Sequence, residues 1–108
     1  MAGLPQPEVV SEPVAQLRER FNKGQYMARA ERGEFRPCLK AFTEAKSIGN
    51  LAGMRGYTVG YHDAINGTRV FLVHFFMDGN GNLGASGLAD PKWLYEGGHA
   101  FVPLIVDP

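Results

Sequence analysis

"RGYTVGYHDAINGTRVFLVHFFM", residues 55–77, decides the fold. Two runs rich in β-branched and aromatic residues flank the dipeptide Asn66-Gly67. Such runs suit a pleated, half-buried surface. Asn-Gly suits a two-residue type I′ turn, in which both central residues need positive φ. The stretch therefore predicts a β-hairpin, and the turn sets its register. With Asn66-Gly67 as the turn, Tyr57 faces Phe76, Val59 faces His74, Tyr61 faces Leu72 and Asp63 faces Val70. Side chains alternate along a strand, so these eight share one side of the sheet. Thr58, Gly60, His62, Phe71, Val73, Phe75 and Met77 fall on the other. The second set is the more uniformly apolar and is the side expected beneath helices.

Working outward, "MDGNGNLGASG" (77–87) raises three readings. Asp78, Asn80 and Asn82 alternate as oxygen ligands do in an EF-hand loop. The sixth position of such a loop needs glycine and here holds Leu83. The twelfth needs glutamate and holds Ala89. A phosphate cradle needs a Gly-rich turn that opens a helix, and no Gly-Lys-Ser/Thr ending occurs. A turn between strands remains, followed by a thin strand of small residues. "KWLYEGGHAFVPLIV" then supplies a further strand pair around Gly97-Gly98, with Pro103 placing the last strand at an edge.

Upstream, the period changes. Residues 1–10 hold two prolines and read as a flexible arm. In "SEPVAQLRERFNKG", Ser11 can cap a helix whose apolar stripe is Val14, Leu17 and Phe21. "QYMARAER" is a second helical piece ending at Gly33. "PCLKAFTEAKSIGN" predicts a third, with Cys38, Phe42, Ala45 and Ile48 on one face and Cys38 buried and inert. The expected architecture is a single α+β domain over 11–108. Two to three N-terminal helices pack on one face of an antiparallel, four- to five-stranded meander.

Composition bounds the function. The chain has 108 residues, 11 basic and 11 acidic, and 14 glycines. Zero formal net charge argues against a globally electrostatic nucleic-acid binder. The basic residues are uneven, with eight against four acidic ones between Arg18 and Lys46; a solvated helix face accounts for them. One cysteine, no signal-peptide pattern in "MAGLPQPEVV" and no apolar run of membrane-spanning length give the expectation of a cytoplasmic protein. No Cys/His spacing fits a metal, and no cofactor motif is present.

The face carrying Tyr57, Val59, Tyr61, Leu72, His74 and Phe76 is too apolar for a purely solvated surface and reads as a binding face. The main expectation is a non-catalytic binding or assembly protein that pairs with itself, or with another protein, through this open face. The catalytic alternative takes His74 as acid or base, with Tyr57, Tyr61 and Asp63 around it. Helices followed by an antiparallel sheet give an element order similar to that of small ribonuclease toxins of the RelE and barnase-like kind. That resemblance implies RNA cleavage centred on His74. Trp93 and Tyr95 read as core or interface, since a base-stacking platform wants flanking cations and the local sequence supplies only Lys92. A third idea is a small-molecule pocket between helices and sheet.

Overall fold

The computed structural model describes residues 7–42, 53–81 and 89–104. Their elements run β1 (Glu8–Glu12), α1 (Val14–Lys23), α2 (Tyr26–Glu31), β2 (Phe35–Phe42), β3 (Arg55–Asp63), β4 (Arg69–Met77), β5 (Asp90–Glu96) and β6 (His99–Pro103). The six strands form one sheet in the order β1-β6-β5-β4-β3-β2. β2 to β6 are consecutive antiparallel neighbours, and β1 joins β6 in parallel. The class is α+β as expected. The sheet is larger than a four- to five-stranded meander and is mixed, and the described residues contain two helices.

β1 explains the mixed sheet. The first described strand lies at one edge, and α1 packs on β5 and β6 while α2 packs on β2. The helices thus carry the chain across one face to the far edge. Glu8–Glu12, expected as an arm and a helix cap, is a strand because β6 offers a free edge to it. Pro103 does not sit on an outer strand. It occupies the last position of β6, where its missing N–H removes little from the ladder, and the next residue's Leu104 N–H donates to the Glu12 carbonyl at 2.7 Å.

The third expected helix is β2 over its described part. Phe35 is buried and pairs with Asp63, and the strand continues through Pro37, Cys38 and Leu39. Cys38 is exposed, not buried on a helical stripe. Ala45, Ile48 and the small residues 84–87 lie outside the described residues. A bulge at Lys40 and the proline at position 37 interrupt this outer strand, as natural sheet edges often are.

The core lies between the helices and one sheet face. Leu17 and Phe21 of α1 follow the expected stripe into it, with Tyr26, Phe35, Val59, Phe71, Val73 and Leu94. Phe71 is the hub. Its ring meets Phe21 at 5.2 Å and Phe35 at 5.4 Å edge-on, and stacks on Tyr61 at 4.6 Å. Such pairs add about 0.5–1.5 kcal/mol each beyond area burial. Among the described residues no helix is long and apolar enough to cross a membrane.

The β3–β4 turn departs from the expected type. It holds four residues, Ala64 to Gly67, with Gly67 N–H donating to the Asp63 carbonyl at 2.9 Å. Asp63 Oδ1 also accepts the N–H groups of Ile65 (2.9 Å) and Asn66 (3.0 Å). The Asp63 side chain therefore organises a longer loop, and only Gly67 takes a positive φ, at 78°. The two-residue turn instead joins β5 to β6, where Gly97 (φ 60°) and Gly98 (φ 85°) both occupy the left-handed region.

Candidate functional site

The longer turn moves the partner of His62 by two residues, to Arg69, and a bulge between Tyr61 and His62 leaves the rest of β3 shifted by one. Val59 pairs with Val73, Tyr57 with Phe75 and Tyr61 with Phe71. A shift of one flips a strand's side chains to the opposite face. Phe71 and Val73 lie beneath the helices as expected, but Tyr57, Val59 and Tyr61 lie there with them. Tyr57 stacks on Phe75 at 5.6 Å, and burial pushes the Tyr61 hydroxyl pKa up. Asp63 is spent on the turn, and its two backbone donors hold its carboxyl below the usual range. Leu72, His74 and Phe76 are the expected site residues that share the other face. The constellation of His74 with Tyr57, Tyr61 and Asp63 is not brought together.

The second face can be built from the pairing. Cys38 pairs with Gly60, Gly60 with Leu72, and Leu72 with Trp93, giving one row across four strands. Arg36, His62 and Arg69 form the row beside it. Thr58 and His74 lie on the other flank. His74 meets Phe76 edge-on at 4.9 Å. Desolvation, then repulsion from Lys92, lowers the His74 pKa, with Asp90 opposing. Asp90 itself is held by Arg18 at 2.9 Å and Lys92 at 3.0 Å.

Gly60 is the low point of this face. A Cβ placed there would meet Lys40 Cε at 2.8 Å, with Arg69 Cδ and His62 Nε2 each at 3.5 Å. Three side chains from three strands therefore converge over a residue that has none. The Arg69 guanidinium continues from there to lie over the Trp93 ring, 4.2 Å from its centre. Trp93 in turn stacks with Tyr95 at 6.4 Å and 21°. Tyr95 is 37 % exposed. The cations that a stacking platform needs are present after all; they come from β2 and β4, not from Lys92.

Several acids of the helix side are matched to neighbours there. On the helix side, Glu12 is buried and takes Arg20 in two hydrogen bonds, at 2.9 and 3.1 Å. Glu96 accepts from Arg20 at 3.4 Å and from the Tyr26 hydroxyl at 2.6 Å. Burial and that carboxylate push the Tyr26 pKa up to about 12. Arg36, Lys40 and Arg69 have no carboxylate partner among the described residues. His62 Nδ1 lies 3.0 Å from the Gly67 carbonyl, so Nδ1 carries the proton and donates. Nε2 is then an acceptor, buried and without a hydrogen-bond partner.

Between helices and sheet the described residues pack an aromatic core around Phe21, Tyr26, Phe35 and Phe71. A surface opening of about 730 Å³ beside α1 is lined by Arg20 and Glu96, which already satisfy each other. No group of three His, Cys, Asp or Glu able to hold a metal occurs among the described residues. Compared with protein-family models, curated proteins and solved structures, the chain matches none of them.

Proposed function

We propose that this protein is a non-catalytic binding module that works through the sheet face turned away from its helices. The observation that carries the reading is a cluster of charge: Arg36, Lys40 and Arg69, cations with no carboxylate partner among the described residues, gather on a face no described helix covers, with Arg69 lying over Trp93. Leaving such groups uncompensated has a purpose if a partner brings the opposite charge. Self-pairing is the less favoured form. A two-fold contact centred on this corner would set each cation against its own copy. The ribonuclease reading loses the four-residue constellation on which it was drawn.

Retention on an immobilised polyanion such as heparin tests the proposal. Lys40→Gln with Arg69→Gln and the helix-side pair Lys23→Gln with Arg32→Gln change the net charge equally. The first variant should elute markedly earlier than the second. Equal elution would mean that the face contributes nothing beyond total charge, and the proposal would fail.

A further inference from the structure

We infer that the partner of this face is single-stranded RNA, with a base on the Trp93–Tyr95 rings, phosphates on Lys40 and Arg69, and a ribose 2′-hydroxyl donating to His62 Nε2. This rests on the binding-face reading and specifies its occupant.

Three observations meet at one place. The rings of Trp93 and Tyr95 are near parallel, and the Arg69 guanidinium caps the indole. Aromatic and guanidinium planes are surfaces on which unpaired bases stack, each worth a substantial part of the affinity and tolerant of sequence. The same Arg69 has its Cδ beside Gly60, next to Lys40 Cε. A base site and a cationic site are therefore bridged by one side chain, as a polymer of alternating bases and phosphates requires. A broad sheet face suits a splayed single strand, because the bases of a duplex are stacked on one another and face away from it.

His62 selects the sugar. Its Nδ1–H is committed to the Gly67 carbonyl. Nε2 therefore presents a lone pair among cations, with no donor bound to it. A phosphate oxygen, itself an acceptor, cannot satisfy that lone pair. A 2′-hydroxyl can, and deoxyribose has none. Lys40 has a flexible stem, so its end can swing aside onto a phosphate and uncover Nε2. Gly60 leaves the room: any larger side chain would fill the space where the three groups converge.

The test uses the full chain and its single tryptophan. Oligouridine and its 2′-deoxy counterpart of equal length are titrated while Trp93 fluorescence and oligonucleotide anisotropy are followed. RNA should quench Trp93, and Lys40→Gln with Arg69→Gln should weaken binding about tenfold and flatten its salt slope by about 1.4, or 0.7 for each of two phosphates. The deoxy strand should bind about fivefold more weakly, the worth of one hydrogen bond. His62→Ala should erase that difference, and His62→Gln, whose amide oxygen can accept, should restore part of it. Equal binding of both strands, or a preference untouched by His62→Ala, overturns the inference. So does the absence of any quenching. If heparin retention still depends on Lys40 and Arg69 in that case, the binding-face reading survives and the RNA assignment alone is lost. A concentration-dependent dimer abolished by Leu72→Asp would give the face to a second copy and overturn the RNA assignment.

Discussion

Phe71 and Leu72 are neighbours in the chain and live in different environments. Phe71 is fully buried among four aromatic rings. Leu72, one residue on, sits in a row with Gly60 and Trp93 on the face no described helix covers. One face closes on itself: its rings interlock, and its acids Glu12 and Glu96 are matched to Arg20 and Tyr26. On the other face, among the described residues, Arg36, Lys40 and Arg69 lack acids and an imidazole acceptor lacks a donor. Apolar content does not separate the two faces, since Leu72, Phe76 and Trp93 are as greasy as Val59 and Val73. What separates them is that the open face gathers Arg36, Lys40 and Arg69 around a His62 Nε2 that has no hydrogen-bond partner. A satisfied face supplies stability, and an unsatisfied one is where a partner gains most.

The largest effect that sharpens this contrast comes from truncating one ring on each face. Phe71→Ala should cost about 3–5 kcal/mol in urea unfolding, a large share of the roughly 5–15 kcal/mol typical of a domain. Phe76→Ala should cost about 1 kcal/mol, because less of that ring leaves water on folding. Equal costs would break the contrast.

A second effect belongs to the closed face alone. Tyr26 titrates at 10.0 ordinarily and at about 12 in the fold. The folded state holds its proton where the unfolded chain releases it. That contribution is complete below pH 10 and is lost as pH rises toward about 12. Stability measured across that range should fall in the wild type and fall less in Tyr26→Phe. The same variant should be about 1.5 kcal/mol less stable at neutral pH, having lost the hydrogen bond to Glu96.

The smallest effect lies on the open face. His74 should titrate below its ordinary 6.5 by NMR, mainly through desolvation. Lys92→Gln should move the midpoint up by removing a nearby positive charge, with little change in stability. A midpoint that does not respond to Lys92 would place His74 elsewhere.

Much of the closed face was legible in the sequence. The stripe of Leu17 and Phe21, the short helix ending at Gly33, the Gly97-Gly98 turn and the burial of Phe71 and Val73 all follow from local period and turn chemistry. The misreadings share a cause, which is that a distant or side-chain interaction overrode a local signal. Cys38 and Phe42 fall at helical spacing, but Phe35 to Phe42 gains more by pairing with β3. Glu8–Glu12 carries little strand signal and forms one because its partner β6 comes from the other end of the chain. Asn66-Gly67 has the dipeptide of a tight turn, yet Asp63 captures two N–H groups and lengthens the loop. An aspartate four residues before a glycine was the available clue. That loop together with the bulge between Tyr61 and His62 flipped β3 relative to β4 and scattered the expected site. The cationic corner was hidden for a simpler reason: Arg36 and Lys40 come from β2 and Arg69 from β4, and only the true register gathers them around Gly60 and His62 of β3, with Arg69 reaching Trp93.

The division of one sheet into a closed and an open face is tested most directly by placing a carboxylate on each of two adjacent residues. Val73→Asp should abolish cooperative unfolding, because it buries a charge among Phe71, Leu94 and Val59 with nothing to pair it. Leu72→Asp should remain folded, with a urea midpoint close to that of the wild type. If both variants unfold alike, the second face is core as well, and no partner binds there.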